Sequence, residues 1–273
     1  MQPRIRQPAV AGVFYPADPA SLGGLVERLS PQTANRHDLL ACIAPHAGYV
    51  YSGGVAGRIY GHIRVPRRVV LLGPNHTGHG TTIAVAPEDS WHTPLGALPL
   101  DRELRTALLA AFPRARGDES AHLREHSLEV HLPFLQVARP DVTVLPICLA
   151  HLDLPTCEAL GQALATVIRD CGEPVGIVAS SDMTHYEPDA AARSRDRLAI
   201  QAALTLEPGT LYGTVHGHRI TMCGVIPATV ALAAALTLGA TAAHLVDYAT
   251  SGDVSGDRTA VVGYAGICIH RED

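Results

Sequence analysis

The chain has 273 residues, of which 47% are hydrophobic, and it carries a formal net charge of −5 at pH 7. This length and composition can bury a large core, and we expect a single domain spanning 1–273. The acidic balance, without a run of Lys or Arg, argues against a protein that binds nucleic acid or an anionic membrane surface.

The cysteines and the hydrophobic segments predict a cytoplasmic protein. Six cysteines occur without a C-x-x-C pair, which is typical of reduced thiols. The first residues are not followed by the apolar core of an export signal. The longest apolar stretch, 223–246, contains Pro227, Gly239 and His244. We therefore interpret it as a buried helix that breaks near Gly239, and not as a membrane span.

Short β-rich runs alternate with helical patterns along the chain, which predicts an α/β fold whose central mixed sheet is covered by helices on both faces. The predicted strands are 39–45, 69–73, 82–86, 142–149, 175–180, 244–248 and 260–269. The predicted helices are 53–62, 101–111, 127–138, 155–169, 190–204 and 223–238.

Two of these strands end in a turn that carries a histidine. The segment IAPHAGYVYSGG (43–54) places His46 in a glycine-rich turn whose small residues let the backbone approach a ligand, and LLGPNHTG (71–78) places His76 in a similar position. The carboxyl ends of strands in an α/β sheet converge on one crevice, so both histidines are candidate metal ligands. A nucleotide phosphate site is not indicated, because neither G-x-x-x-x-G-K-[ST] nor a strand-linked G-x-G-x-x-G occurs.

A third histidine-rich segment, EHSLEVHLPF (125–134), lies at a predicted helix start. We expect Ser127 to open the helix, Glu129 to help satisfy its free amides, and His126, just before it, to point into the crevice. The metalloprotease motif H-E-x-x-H is not present. His131 is interpreted as structural.

The strand 175–180 leads into SSDMTHY (180–186), where Asp182 and His185 are three residues apart. This spacing predicts that the carboxylate orients the imidazole, which could then act as a general acid or base. Ser180 and Ser181 are not in a G-x-S-x-G turn, which argues against a hydrolase nucleophile.

Cys223, in TMCG (221–224), lies at the start of the long apolar helix. The positive end of that helix and any nearby metal ion would favour its thiolate form. The alternative interpretation is a buried, inert cysteine.

Six ordered motifs resemble the MEMO protein family, which is also the "protein B" of the AmmeMemoRadiSam system and is similar in fold to the class III extradiol dioxygenases. The motifs are AGVFYPAD (11–18), IAPHAGYVYSG (43–53), LGPNHTG (72–78), EHSLEVHLPFLQ (125–136), SSDMTHY (180–186) and TMCGVIP (221–227).

The resemblance implies one non-haem transition-metal ion with His46, His76 and Cys223 as its ligands. Asp182 and His185 line the same pocket, with His185 at the position of the catalytic base, and His126 is similar to a substrate-contacting histidine. The extradiol dioxygenases bind Fe(II) through two histidines and a carboxylate, whereas the third ligand here is a thiolate. Fe(II) is the first expectation, and Cu(I) and Zn(II) are alternatives.

Two classes of function follow, with a metal-dependent hydrolase as a third. The first is a metal-dependent oxidoreductase that acts on a small phenolic or similar substrate, with a histidine as base. The second is a metal- or ligand-binding module without turnover. The resemblance also implies AMMECR1-like and radical SAM proteins as partners.

Overall fold

The computed structural model describes residues 3–272 and has an α/β architecture. Its helices are α1 (Pro19–Leu29), α2 (Tyr49–His62), α3 (Arg102–Ala111), α4 (Leu132–Ala138), α5 (Leu154–Asp170), α6 (Asp189–Leu204), α7 (Pro208–Gly217), α8 (Val225–Thr237) and α9 (Gly252–Ser255). Its strands are β1 (Ile5–Arg6), β2 (His37–Asp38), β3 (Ala41–Ala44), β4 (Ile63–Arg64), β5 (Arg68–Pro74), β6 (Ile83–Val85), β7 (Ser90–Thr93), β8 (Gly96–Pro99), β9 (Arg116–Gly117), β10 (Thr143–Leu149), β11 (Val175–Ser180), β12 (His185–Glu187), β13 (Ala242–Thr250) and β14 (Val261–His270).

The main sheet is mixed and has the order β12-β14-β3-β11-β5-β10-β6-β9, with β13 paired to β14. Its four central strands, β3, β11, β5 and β10, run parallel, while β14 and β6 join them antiparallel on either side. Two smaller sheets, β1-β7-β8 and β2-β4, lie outside it. All seven predicted strands are present in this arrangement.

Helices cover both faces of the sheet, as predicted. Along β3, Ala41 and Ile43 face a core formed with α3, α5, α6, α7 and α8, whereas Cys42 and Ala44 face a second core formed with α1, α2 and α4. This alternation follows from the two-residue period of a strand, which sends successive side chains to opposite faces. Over residues 3–272, no helix has the length and apolar content required to cross a membrane.

The glycine-rich turn expected after His46 is shorter than predicted, because α2 already begins at Tyr49. A glycine further along α2, Gly57, serves helix packing. A Cβ on Gly57 would overlap the backbone carbonyl of Leu29 at the end of α1, so only glycine allows α1 and α2 to approach this closely.

The predicted helix 127–138 was wrong in its first half. Glu129–His131 form a single 3₁₀ turn, and α4 begins only at Leu132. Ser127 does not cap a helix, because its Oγ donates a hydrogen bond to the carbonyl oxygen of Pro74 at 3.0 Å. The carboxylate of Glu129 pairs with Arg6 at 2.7 Å and accepts hydrogen bonds from the N-terminal segment, so it is not available to the helix amides.

Candidate metal centre

Two histidines and one cysteine meet at the carboxyl ends of the central strands. His46 follows β3 and His76 follows β5, and these strands lie on either side of β11. The two imidazole centroids are 5.1 Å apart. Cys223, just before α8, places its Sγ 3.3 Å from Nε2 of His46. The three side chains present ligand atoms that all lie within 4.8 Å of one another.

The tautomer of His46 follows from its hydrogen bonds. Ser180, the last residue of β11, donates its only hydroxyl proton to the carbonyl oxygen of Ser127 at 2.7 Å. Its Oγ must therefore accept from Nδ1 of His46 at 2.6 Å. That assignment leaves Nε2 of His46 without a proton and directed at Cys223, and burial lowers the pKa of His46 well below its usual value. His46 is thus a neutral imidazole, the form that binds metals.

Glu125 fixes His76 in the corresponding orientation. Nδ1 of His76 lies 2.9 Å from Oε1 of Glu125, a carboxylate that can only accept, so Nε2 of His76 carries the free electron pair. The buried carboxylate also accepts hydrogen bonds from the backbone amides of His76, His126 and Ser127. Burial alone would raise the pKa of Glu125, but the hydrogen bonds from the His76 ring and from these amides lower it to about 2. Such a pairing of carboxylate and histidine is common behind metal-bound imidazoles.

Cys223 reaches the centre because glycine follows it. A Cβ on Gly224 would overlap the carbonyl oxygen of Ser180, so only glycine lets the start of α8 lie directly against the end of β11. The backbone amide of Asp182 donates to Sγ of Cys223 at 3.3 Å. The expectation that the helix makes this thiol acidic was wrong, because burial and the Asp182 carboxylate raise its pKa. A thiolate here requires a cation in the centre, and a metal ion would take the place of the thiol proton.

His126 lies in the same crevice, as expected. Its ring stacks on His76 with centroids 4.7 Å apart and an interplanar angle of 16°, and it meets His46 edge-on at 5.5 Å. Its opposite neighbour is Phe14, at 4.8 Å. His126 is half-buried, and together with Phe14 it forms the aromatic wall of the crevice.

Asp182 does not orient His185, which corrects the expectation drawn from their spacing. The carboxylate of Asp182 accepts from the backbone amide of His46 at 2.8 Å, and burial raises its pKa to about 6. The ring of His185 is held by the carbonyl oxygen of Thr221, which lies 2.9 Å from Nδ1, while the backbone amide of His185 donates to Thr221 Oγ1 at 2.7 Å. The three-residue spacing gave no sign of Thr221, which is 36 residues away.

A buried chain of hydrogen bonds leads from Tyr60 to Ser180, the residue that holds His46. The hydroxyl of Tyr60 lies 3.1 Å from Nδ1 of His131, and Nε2 of His131 lies 2.9 Å from Oγ of Ser180. His131 is fully buried, which agrees with its interpretation as structural.

Ser180 and Glu125 are the functional residues that sequence reasoning missed. Only the order of the strands shows that Ser180 lies between the two histidine turns.

Comparison with known proteins places the chain among Memo-like proteins. A family model described as "Memo-like protein" matches residues 6–268. A MEMO1 family protein of Aquifex aeolicus is 45% identical over 266 residues, which are 97% of this chain and 98% of the relative. Those of Methanopyrus kandleri and Methanosarcina barkeri are 40% and 42% identical, over 97% of this chain and 99% and 100% of their own. A solved structure of an uncharacterized protein from Escherichia coli K12 has a TM-score of 0.53 at 15% identity, covering 83% of this chain and 99% of that chain, and is similar in fold.

Proposed function

The chain belongs to the family of Memo-like proteins, and we propose that it is a non-haem metal protein that oxidises a small phenolic or similar molecule with O₂ as the oxidant. In this proposal one transition-metal ion is held by His46, His76 and Cys223, and His185 acts as the base. The family membership supports the part of the proposal that concerns metal binding. The reaction is inferred from the arrangement of side chains around the centre.

The observation that carries the proposal is the matched orientation of the two imidazoles. Each ring has its Nδ1 bound to a protein acceptor, Ser180 for His46 and Glu125 for His76, and its unprotonated Nε2 available. Cys223 adds a sulfur at 3.3 Å from Nε2 of His46. Imidazole nitrogens and thiolate sulfur are good ligands for borderline and soft ions, so the donor set fits a transition metal.

The choice of ion follows from the third ligand. Fe(II) is our first expectation because of the resemblance to the extradiol dioxygenases, and Cu(I) and Zn(II) suit a thiolate at least as well. Bound iron or copper would supply one-electron chemistry, whereas zinc would supply a Lewis acid. His46 and His76 follow strands on either side of β11, and the ring of His126 packs against both imidazoles.

His185 is suited to accept a proton from the substrate. Because Nδ1 of His185 must donate to the carbonyl oxygen of Thr221, its Nε2 holds the free electron pair. The side chain is half-buried, so a substrate can reach it from solvent. Thr221, which holds both the backbone amide and Nδ1 of His185, lies two residues before Cys223 in the chain. His126 and Phe14 provide the ring surfaces against which a phenolic ring can pack.

One observation favours the second candidate, a metal- or ligand-binding module without turnover. The third ligand is Cys223 and not a carboxylate, and the nearby carboxylate of Asp182 is engaged by the backbone amide of His46. A thiolate in this position is suited to holding soft ions tightly. Turnover assays on catechol-type substrates with the metal-loaded protein separate the two candidates.

The metal site itself is tested by the metal content of tag-free protein purified without oxygen. We expect His46→Ala and His76→Ala to lose the ion, since each removes a direct ligand. His79→Ala is the matched control, because His79 is exposed on the same loop as His76. We expect this variant to keep the ion. Unchanged metal content in both ligand variants would rule out this site.

A further inference from the structure

A second group of histidines lies at the other end of the sheet. His46 follows the carboxyl end of β3, whereas His270 follows Ile269, the residue that pairs with Ala41 at the amino end of β3. Around His270 lie His37, His62 and His244, brought together from four different elements. We propose that His37, His62 and His244 form a second metal site, which binds a divalent late transition-metal ion such as Zn²⁺.

The backbone brings the three ligands together from separate segments. His37 lies on β2, where it pairs with Ile63, and His62 is the last residue of α2, next to Ile63 in the chain. His244 lies on β13, in register with Cys268 of β14. The ligand nitrogens of His37, His62 and His244 all lie within 4.8 Å of one another.

The distances fit an ion with little movement. Nε2 of His62 lies 2.8 Å from Nε2 of His244, and the ring of His37 is 5.2 Å and 5.3 Å from these two rings, centroid to centroid. Two imidazoles on a tetrahedral Zn²⁺, with bonds of about 2.0–2.1 Å, have nitrogens about 3.3 Å apart. The pair therefore needs to separate by only about half an ångström.

The contact between His62 and His244 provides an unprotonated imidazole nitrogen, which is the atom that binds a metal. At a contact of 2.8 Å between Nε2 atoms, at least one of the two nitrogens carries no proton. Oγ1 of Thr33 lies 3.4 Å from Nδ1 of His62, on the side away from His244. This contact leaves Nε2 of His62 to face the proposed ion.

The end of α2 favours a cation at this position, and a cavity gives access to it. His62 lies at the C-terminal end of α2, where the carbonyl groups of the helix carry partial negative charge. His37 and His270 line a cavity of about 700 Å³, which also contains Arg36, Arg271 and the ion pair of Arg64 with Asp38. The ring of His270 lies 4.0 Å from that of His37 and 5.1 Å from that of His244, centroid to centroid. The cavity provides an entry path and room for water or an anion as a further ligand.

The test is a titration of chelator-treated, tag-free protein with Zn²⁺, with bound zinc measured after equilibrium dialysis. We expect His62→Gln/His244→Gln to bind one equivalent less than wild type, and His46→Ala/His76→Ala to keep the equivalent that His62 and His244 hold. The difference in bound zinc between wild type and His62→Gln/His244→Gln does not depend on what the first centre binds. A failure of the second site is therefore distinguishable from a failure of the first. His218→Gln is the matched control, since His218 is exposed and lies outside both groups.

A single variant guards against misfolding. His37→Gln changes one partly exposed side chain on a two-residue strand, and it should weaken zinc binding by more than the 10- to 100-fold that loss of an outer partner costs. Circular dichroism in the presence of chelator checks that each variant is folded. Equal zinc stoichiometry in wild type and His62→Gln/His244→Gln, together with unchanged affinity in His37→Gln, would overturn the proposal.

Discussion

The two histidine groups at opposite ends of the sheet differ in the hydrogen-bond partners of the ring nitrogens that face away from the proposed ion. At the first centre, the outer nitrogen of His46 is bound to Ser180 at 2.6 Å and that of His76 to Glu125 at 2.9 Å. At the second group the rings mainly contact one another, and the outer contact of His62 is the longer one to Thr33, at 3.4 Å. Outer partners fix both the tautomer and the direction of an imidazole, so the first centre is prepared for an ion, whereas the second must adjust to one.

The two regions also differ in what lies beside them. The first centre has a separate imidazole, His185, whose free Nε2 is not needed as a ligand. In the second group the remaining imidazole, His270, is buried and lies against His37 with ring centroids 4.0 Å apart, whereas His185 is partly exposed. We therefore expect turnover at the first centre and only metal binding at the second.

The largest effect is expected for His185→Ala. This variant should keep most of the metal at the first centre while lowering any turnover by about 10²- to 10⁴-fold, the usual contribution of a positioned proton-transfer group. Metal content and turnover are measured on the same preparation, with the exposed His216→Ala as control. If His185→Ala loses its metal as completely as His46→Ala, His185 is a ligand and the division of roles is wrong.

Glu125→Ala should damage both the fold and the first centre. It leaves the buried backbone amide of Ser127 and the partly buried amides of His76 and His126 without their acceptor, and the loss at a buried amide costs about 1–3 kcal/mol. Urea unfolding measures the loss of stability, and metal titration measures the loss of affinity. The control is Glu119→Ala, since the side chain of Glu119 is 58% exposed. Wild-type metal affinity in folded Glu125→Ala would show that the carboxylate does not position His76.

Ser180→Ala and Thr33→Val compare the outer partners of the two regions directly. Ser180→Ala removes the acceptor for Nδ1 of His46 and should lower metal affinity at the first centre by about 10- to 100-fold. Thr33→Val removes a longer contact, and we expect a smaller loss at the second site. Zinc and iron titrations of wild type and both variants give the ratio of variant to wild-type affinity at each site. A larger effect of Thr33→Val than of Ser180→Ala would reverse the comparison.

The smallest effect concerns acid stability and comes from buried histidines that belong to neither ligand set. Burial lowers the pKa of His122 to about 4 and that of His131 to about 3, from 6.5 in the unfolded chain. The unfolded state therefore binds more protons below pH 6.5, so stability is full above that pH and falls as the pH drops towards 4 and 3. Each histidine should cost about 2 kcal/mol of unfolding free energy between pH 7.5 and pH 5.

Urea unfolding in chelator at the two pH values checks this prediction. His122→Gln removes one of the two groups, and it should reduce the loss of stability between pH 7.5 and pH 5. An unchanged difference between the two pH values in His122→Gln would mean that His122 does not contribute, and would direct attention to the histidines of the two metal regions.

The sequence alone was sufficient to predict the elements that have their own hydrophobic periodicity. It was also sufficient to predict the ligands that directly follow them. The strands that precede His46 and His76 were predicted from short apolar runs, and the turns after them from Pro and Gly. The position of Ser180 between these two turns could not be predicted, because it depends on β11 pairing with both β3 and β5. Local patterns contain no information on which parallel strands are neighbours.

The second group shows the same limit more strongly. His37, His62, His244 and His270 share no motif, and the pairings of β2 with β4 and of β13 with β14 bring them together. The mistaken link between Asp182 and His185 has a related cause. Their short separation suggested a hydrogen bond, but the acceptor for His185 comes from Thr221, in the segment before α8.

The most direct test of the central claim is the absorption spectrum of the Co²⁺-substituted protein. Our account predicts a thiolate-to-cobalt charge-transfer band in wild type that is absent in Cys223→Ser and retained in Cys171→Ser, which changes another cysteine that is only partly buried. The second site binds through imidazoles and contributes no such band. A charge-transfer band that persists at full strength in Cys223→Ser would contradict the assignment of Cys223 as a metal ligand.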